Sequence, residues 1–306
     1  MLAIDNHGHL AREDNEHAPC HDCAAVPGEE TRLRRGVAER DVVRLNADAR
    51  TVERDRVVVE EPLEIRIDGE TIAITMRTPG DDPLLALGFL YGEGIVHALD
   101  DVGTIAPCGR PGDEGYGNVL DVRSGPGVTL SSERVLDSRR WNVTTSSCGV
   151  CGRRSIDDLL SRIAPLDSSV RVETRAITRA VSELASDQPN FARTGGLHAA
   201  GAFDAAGAPL AVYEDVGRHN AVDKTVGALL KRGELGRATI LAVSGRASFE
   251  IVQKAAAARI PVVASVSAAS SLAIDVAHAA GITLASFVRG SALNVYSHPE
   301  RVEGTA

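Results

Sequence analysis

Short apolar runs alternate with longer alanine-rich stretches through the last third of the chain. The runs are rich in Val and Ile, and the stretches between them repeat apolar residues at helical spacing. The predicted elements, beginning and ending with a strand, are 210–213, 221–231, 240–243, 249–258, 262–266, 272–280 and 282–288. This alternation predicts a sheet covered by helices, with parallel neighbouring strands joined by right-handed crossovers.

The pattern upstream is that of a β-rich segment. Residues 65–67 and 72–74 each alternate isoleucine with another residue, and Asp68-Gly69 lies between them. Because Asp-Gly tolerates the positive φ of a primed two-residue turn, the three pieces predict a β-hairpin. Pro83 then predicts the start of a short helix over 84–91, since proline is favoured at the first helical position.

The chain is expected to divide into four parts. The first 40 residues mix His, Glu, Asp, Pro and Arg with no helical or strand period, which predicts a disordered tail. The expected division is a tail over 1–40, a β-rich domain over 41–145 with a strand at 119–122, a mobile cysteine loop and helix over 146–170, and an α/β domain over 171–306.

The composition describes an acidic protein with an aliphatic core. Hydrophobic residues make up 43% of the 306 residues but aromatic residues only 3%, so Val, Ile, Leu and Ala must fill the core. A net charge of −9 makes the chain a poor general partner for nucleic acid or an anionic membrane surface. No secretory signal or long apolar run is present, and five cysteines are an odd number. We therefore expect a soluble cytoplasmic protein with available thiols.

Two cysteines separated by two residues lie between the two halves of the chain. Cys148 and Cys151 flank Gly149-Val150, and Arg153-Arg154 follow them just before a helix predicted over 156–163. Nearby positive charge and a helix N-terminus favour the thiolate over the thiol. The segment therefore predicts a nucleophilic dithiol, whereas Cys108 is predicted to be a structural or incidental thiol.

Several kinds of chemistry use such a pair. A four-thiolate zinc site would combine it with Cys20 and Cys23, which lie far from it in sequence compared with the ligands of compact zinc modules. A dithiol redox site would need a thioredoxin-like βαβ context, and flanking Ser, Gly and Arg residues disfavour a buried pair. A persulfide carrier fits best, because a thiolate can attack a donor persulfide and later release the sulfur. A zinc-stabilised binding module or chaperone without sulfur transfer is the alternative.

Polar residues follow every predicted strand of the α/β half. Ligands of open α/β sheets bind beyond the carboxyl ends of the strands, and the segments there are 214–220, 244–248, 267–271 and 289–291. Their hydroxyls, glycines and arginines near helix N-termini predict an anion site to which Arg218, His219 and Arg246 are candidate contributors. Asp215 offers a carboxylate for a guanine edge. No Walker or dinucleotide fingerprint is present.

Five motifs occur in order along the chain. They are Ser147-Cys148-Gly149-Val150-Cys151-Gly152, Gly195-Gly196-Leu197-His198, the run from Glu214 to Lys224, Ser244-Gly245-Arg246 and Asn294-Val295-Tyr296. Together they resemble the FdhD family, the formate dehydrogenase accessory sulfurtransferases. The resemblance runs from about residue 50 to the C-terminus, and the longest motif is highly specific.

The resemblance implies a sulfur carrier between a cysteine desulfurase and the molybdenum cofactor of formate dehydrogenase, in its bis(molybdopterin guanine dinucleotide) form. Cys148 would hold the persulfide and Cys151 would assist. No structural metal is expected. The implied partners are the desulfurase, the formate dehydrogenase catalytic subunit, the cofactor and a second copy of the chain.

The family's cofactor-binding stretch aligns with six residues near the C-terminus, which are Phe287, Val288, Arg289, Gly290, Ser291 and Ala292. Some members carry a more polar Asn-Gly-Arg after the shared arginine, so a basic contact is either missing here or supplied by Arg246 or Arg218. The family also implies a cytidine-deaminase-like fold in the C-terminal half. The expected fold class is thus α/β (α+β overall), with a β-rich N-terminal segment and a C-terminal three-layer α/β domain.

Overall fold

The computed structural model describes residues 36–110, 113, 115–130, 165–167 and 169–304. Within these ranges the chain forms fourteen strands and six α-helices. The strands are β1 (Val37–Leu45), β2 (Arg50–Val58), β3 (Glu61–Ile67), β4 (Glu70–Arg77), β5 (Val102–Pro107), β6 (Val119–Ser124), β7 (Val172–Glu173), β8 (His198–Phe203), β9 (Pro209–Asp215), β10 (Ile240–Val243), β11 (Val262–Ser265), β12 (Thr283–Arg289), β13 (Ala292–Ser297) and β14 (Val302–Glu303). The helices are α1 (Asp82–Gly92), α2 (Thr174–Ser186), α3 (Pro189–Thr194), α4 (Arg218–Arg232), α5 (Phe249–Ala257) and α6 (Ser271–Ala280).

The N-terminal part is built on a four-stranded sheet in the order β4-β3-β6-β5. The predicted hairpin is confirmed as β3–β4, and both of its turn residues have positive φ, 47° at Asp68 and 88° at Gly69. The helix predicted after Pro83 is confirmed as α1. Strands β1 and β2 form a separate antiparallel hairpin, which begins at Val37, inside the segment predicted to be a tail.

The C-terminal part is built on a six-stranded sheet in the order β13-β12-β11-β10-β8-β9. Strands β10, β11 and β12 are parallel, as predicted. The expectation of parallel pairing throughout is wrong, because β8 is antiparallel to both β9 and β10 and β13 is antiparallel to β12. The cause is local: tight β8–β9 and β12–β13 connections leave no room for a crossover helix.

Helices cover both faces of this sheet. Ile240, Ala242 and Val262 pack with α2 on one face. Their neighbours Leu241 and Val263 pack with α4, α5 and α6 on the other. Because successive strand residues face opposite sides, apolar runs without polar alternation are the expected sequence of such strands. The predicted three-layer α/β architecture is confirmed.

The two parts meet where α1 crosses α4. A Cβ atom on Gly88 would lie 1.9 Å from the Asp223 carbonyl oxygen, and one on Gly227 would lie 2.0 Å from the Leu84 carbonyl oxygen. Only glycine allows backbones to approach this closely. Leu84 of α1 accordingly packs into the core beneath α4, and Leu230 of α4 packs into the core of the four-stranded sheet.

None of the helices within the described ranges is long and apolar enough to cross a membrane.

Candidate functional site at the strand ends

The carboxyl ends of the parallel strands meet at one edge of the six-stranded sheet. Val243 of β10 pairs with Ser265 of β11, and Ala264 pairs with Ala285 of β12. His198 begins β8 at this same edge, because it pairs with Asp215 at the end of β9. The four polar segments predicted to follow the strands therefore lie along one edge of the sheet. The antiparallel strand β8 adds His198 to the same edge.

Asp215 does not face this edge as an open carboxylate. Its side chain is fully buried and lies 2.7 Å from Lys224 Nζ. It also accepts hydrogen bonds from the backbone N–H groups of Gly217 (2.8 Å) and Thr78 (3.2 Å), and from the Asn220 amide (2.9 Å). The expectation that Asp215 pairs with a guanine edge is wrong, because partners within the protein occupy both of its oxygens.

This network joins the two parts of the chain. Lys224 Nζ donates to the Thr78 carbonyl at 3.0 Å, the Asn220 amide donates to the Met76 carbonyl at 2.7 Å, and the Thr78 hydroxyl accepts from the Val216 N–H at 3.2 Å. Much of the Glu214–Lys224 motif is therefore structural, because it fixes the start of α4 against the end of β4.

Asp223 and Lys254 form a second buried pair, between α4 and α5. Lys254 Nζ lies 2.6 Å from the Asp223 carboxylate and 5.6 Å from the centre of the Phe89 ring. Burial raises the pKa of Asp223 to about 6, although the charge of Lys254 opposes that rise. Asp223 and Lys224 are thus both buried and paired within the protein.

The basic side chains at the edge are more accessible. Arg218 is the first residue of α4 and is partly exposed, and Arg246 follows β10 and is exposed. His219 Nε2 lies 2.6 Å from the Glu250 carboxylate and 3.2 Å from the Ser248 hydroxyl. The pKa of His198 is lowered, first by burial and then by the positive charges of Arg218, His219 and Arg246. The predicted contributors Arg218, His219 and Arg246 are thus brought together with His198.

The stretch over 287–292 forms the β12–β13 turn beyond this edge. Phe287 is exposed with a φ of 54°, and its N–H donates to the Ser267 carbonyl at 3.1 Å. Val288 is buried against α2, whereas the other four residues are exposed. They are Arg289, Gly290, Ser291 and Ala292.

A cavity of about 470 Å³ lies between this turn and α2. Val288, Gly290 and Val266 line one side of the cavity, and Arg175 and Arg179 of α2 line the other. Its size falls within the range of small-molecule sites, and both arginines are ion-paired, Arg175 with Glu173 and Arg179 with Glu183. Neither arginine was among the predicted site residues, although the amphipathic pattern of α2 would have located both on its exposed face.

Both residues of the predicted dithiol, Cys148 and Cys151, lie outside the described residues, as do Cys20 and Cys23. Among the residues that are described, no group of three His, Cys, Asp or Glu side chains is placed to hold a metal ion. Cys108 is a free, partly buried cysteine at the end of β5, and its N–H donates to the Val119 carbonyl.

The fold is that of an α/β protein with basic side chains at the carboxyl ends of its parallel strands. The chain belongs to the FdhD/NarQ family, whose model matches residues 58–303.

Relatives with the name sulfur carrier protein FdhD are similar to most of the chain. The protein from Anaeromyxobacter dehalogenans strain 2CP-C is 58% identical over 87% of this chain and 93% of its own length. That from Mycobacterium tuberculosis is 47% identical over 87% of this chain and 98% of its own length. A crystal structure from Desulfotalea psychrophila, described as a formate dehydrogenase accessory protein, has a TM-score of 0.67 and 25% identity over 88% of this chain and 100% of its own.

Proposed function

We propose that this chain is a sulfur carrier that serves formate dehydrogenase. Cys148 accepts sulfane sulfur from the persulfide of a cysteine desulfurase and passes it to the molybdenum of a bis(molybdopterin guanine dinucleotide) cofactor. The observation that supports this most strongly is the Cys148–Cys151 pair in a chain whose relatives have the name sulfur carrier protein. The expected partners are the desulfurase, the catalytic subunit of formate dehydrogenase and a second copy of the chain.

The chemistry of the loading step is thiol exchange. The Cys148 thiolate attacks the outer sulfur of the donor persulfide, and the desulfurase thiolate leaves. Arg153 and Arg154 favour the reactive thiolate, since positive charge lowers a thiol pKa. When the sulfur moves on, the Cys148 thiolate is the leaving group and the acceptor supplies the two electrons that convert sulfane sulfur to sulfide. Cys151 assists.

The strand-end edge is the proposed place of the acceptor. The stretch over 287–292 contains the exposed Arg289 and borders both this edge and the cavity beside α2, so a polyanionic cofactor would find positive charge there. Leu130 and Leu166 are each 18 residues from Cys148 along the chain. A segment of that length spans at most about 60 Å, so chain length permits Cys148 to reach the edge.

The loading step is tested by mass spectrometry after incubation with a cysteine desulfurase and cysteine. We expect the peptide that contains Cys148 to gain the mass of one sulfur atom, and the gain to disappear in Cys148→Ala. Cys108→Ala is the matched control and should load as the wild type does. Absence of the added mass, its presence on Cys108 alone, or stoichiometric zinc bound by unreactive thiols would contradict the proposal.

A further inference from the structure

The β1–β2 hairpin is a two-stranded sheet whose residues are almost all exposed. Its nine residue pairs run from Val37–Val58 at the base to Leu45–Arg50 at the tip. No third strand joins it in the part of the chain that the structure describes. Each pair advances the strands by about 3.4 Å, so the hairpin is about 30 Å long. Because an isolated hairpin is marginally stable in water at best, a surface that covers this one is expected to stabilise it.

The base of the hairpin contacts the rest of the chain, and one face beyond the base is open. At the base, the Cβ position of Gly196 lies 3.0 Å from a methyl carbon of Val58, and β2 packs beside α3. Beyond the base, Val43 is paired with Val52, and these residues are 44% and 74% exposed. Leu45, two residues beyond Val43 on the same face, is 70% exposed. Three apolar residues thus lie together in solvent near the tip.

Charged residues on this face are separated by sign. Successive side chains of a strand point to opposite faces, so the face that carries Val43 and Val52 also carries acidic residues on β1 and arginines on β2. We call it the open face, and its other cross-strand pairs are Glu39–Arg56, Asp41–Arg54 and Leu45–Arg50. Within one copy, Arg54 lies 3.2 Å from Glu39 and 3.8 Å from Asp41. These three side chains remain more than half exposed, so they can still accept partners from another molecule.

The open face is complementary to a second copy of itself. A two-fold axis that runs between the two strands and parallel to them places β1 of each copy on β2 of the other, level by level. Asp41 then lies over Arg54 of the second copy, and Val43 lies over Val52 of the second copy. A partner of a single charge sign would match one strand of this face and repel the other. The pattern therefore favours a second copy of this chain.

We propose that two copies of this chain associate by stacking the open faces of their β1–β2 hairpins. This inference rests on the proposed function for the presence of a second copy, but it does not require sulfur transfer. Stacking removes Val43, Leu45 and Val52 of both copies from water, and the charged pairs fix the register. Two strands, each about 5 Å wide and about 30 Å long, offer roughly 300 Å² per copy, which is well below the roughly 800 Å² per partner of a standard interface. We therefore expect a dimer that dissociates on dilution.

Sedimentation velocity of the full chain over a concentration series tests this interface. Asp41→Arg places arginine over arginine in a stacked pair, and Arg54→Asp places aspartate over aspartate. Each variant should weaken self-association by roughly tenfold or more, because like charges oppose each other at two symmetric contacts. Both positions are exposed, so both variants should fold. An equimolar mixture of the two variants should recover association, because each contact of the mixed dimer again joins an arginine to an aspartate.

Asp55→Arg is the matched control. Asp55 is exposed beside Arg54 but lies on the opposite face of β2, so this variant should associate as the wild type does. If the wild type associates and both single variants associate equally well, or if their mixture stays dissociated, this inference is wrong while the second copy of the proposed function stands. Equal dissociation of Asp55→Arg would also contradict it, because the contact would then not be specific to the open face. If the wild type is a monomer throughout the series, the proposed function loses its second copy as well.

Discussion

The pairs Asp215–Lys224 and Asp223–Lys254 place four charges in the interior of this protein. Adjacent residues of α4 point to different partners: Asp223 meets Lys254 of α5, and Lys224 meets Asp215 at the end of β9. A buried charge is costly, and its partner offsets that cost only in good geometry. The pairs therefore contribute more to the placement of α4 than to net stability.

The Asp223–Lys254 pair should make the stability of the protein depend on pH. The raised pKa of Asp223, about 6, means that the folded protein holds this proton more tightly than the unfolded chain does. Protonated Asp223 therefore contributes to the stability of the folded protein. This contribution is fully present below about pH 4, the ordinary aspartate pKa, and is lost as the pH rises through 6. Lys254→Met removes the charge that opposes the rise, so the pKa of Asp223 should increase further.

We therefore expect Lys254→Met to lower the free energy of unfolding more at pH 8 than at pH 5. Loss of one partner of a buried pair costs about 3–5 kcal/mol, and that full cost should be seen only at the higher pH, where Asp223 must ionise. Denaturant unfolding at both pH values measures the difference. Lys231→Met, an exposed lysine of α4, is the control and should change stability little. If Lys254→Met lowered the free energy of unfolding equally at the two pH values, the raised pKa of Asp223 would be contradicted.

At the scale of elements, the glycine contact between α1 and α4 is the feature that joins the two parts of the chain. Gly88→Ala should destabilise the protein by about 3 kcal/mol or more, because the added methyl overlaps backbone atoms that cannot move independently. Gly92→Ala, in the same helix, has 3.5 Å of space to Lys254 and should change stability by less than about 1 kcal/mol. Thermal melting of both variants measures this difference in stability. Similar melting temperatures would show that the backbones of α1 and α4 are not tightly packed at Gly88.

Elements with local signals could be predicted from the sequence. The β3–β4 hairpin follows from Asp68-Gly69, and α1 follows from Pro83, because each signal acts within a few residues. Strand β8 was not predicted, because its residues are mostly Ala and Gly and it is a strand only through pairing with β9 and β10. The β1–β2 hairpin was also missed, since its charged residues show no buried face.

At the scale of the whole molecule, the position of the polar strand-end segments was predictable, but the roles of their residues were only partly so. Parallel strands place their carboxyl ends at one edge whatever the loops contain, so Arg218, His219 and Arg246 were correctly brought together. The structural role of Asp215 depends on Thr78, which is 137 positions away in sequence. Only the folded contact between the two halves reveals it.

Passage of sulfur from Cys148 to the cofactor is the central claim, and an isotope measurement tests it most directly. The chain is loaded with radioactive sulfur by a cysteine desulfurase, separated from the desulfurase, and mixed with the molybdenum guanine dinucleotide cofactor and formate dehydrogenase that lacks its sulfido ligand. We predict that label leaves the chain and enters the dehydrogenase in step with recovered activity, and that Cys148→Ala transfers none. Label that stays on the chain, or activity recovered equally with Cys148→Ala, would contradict the claim.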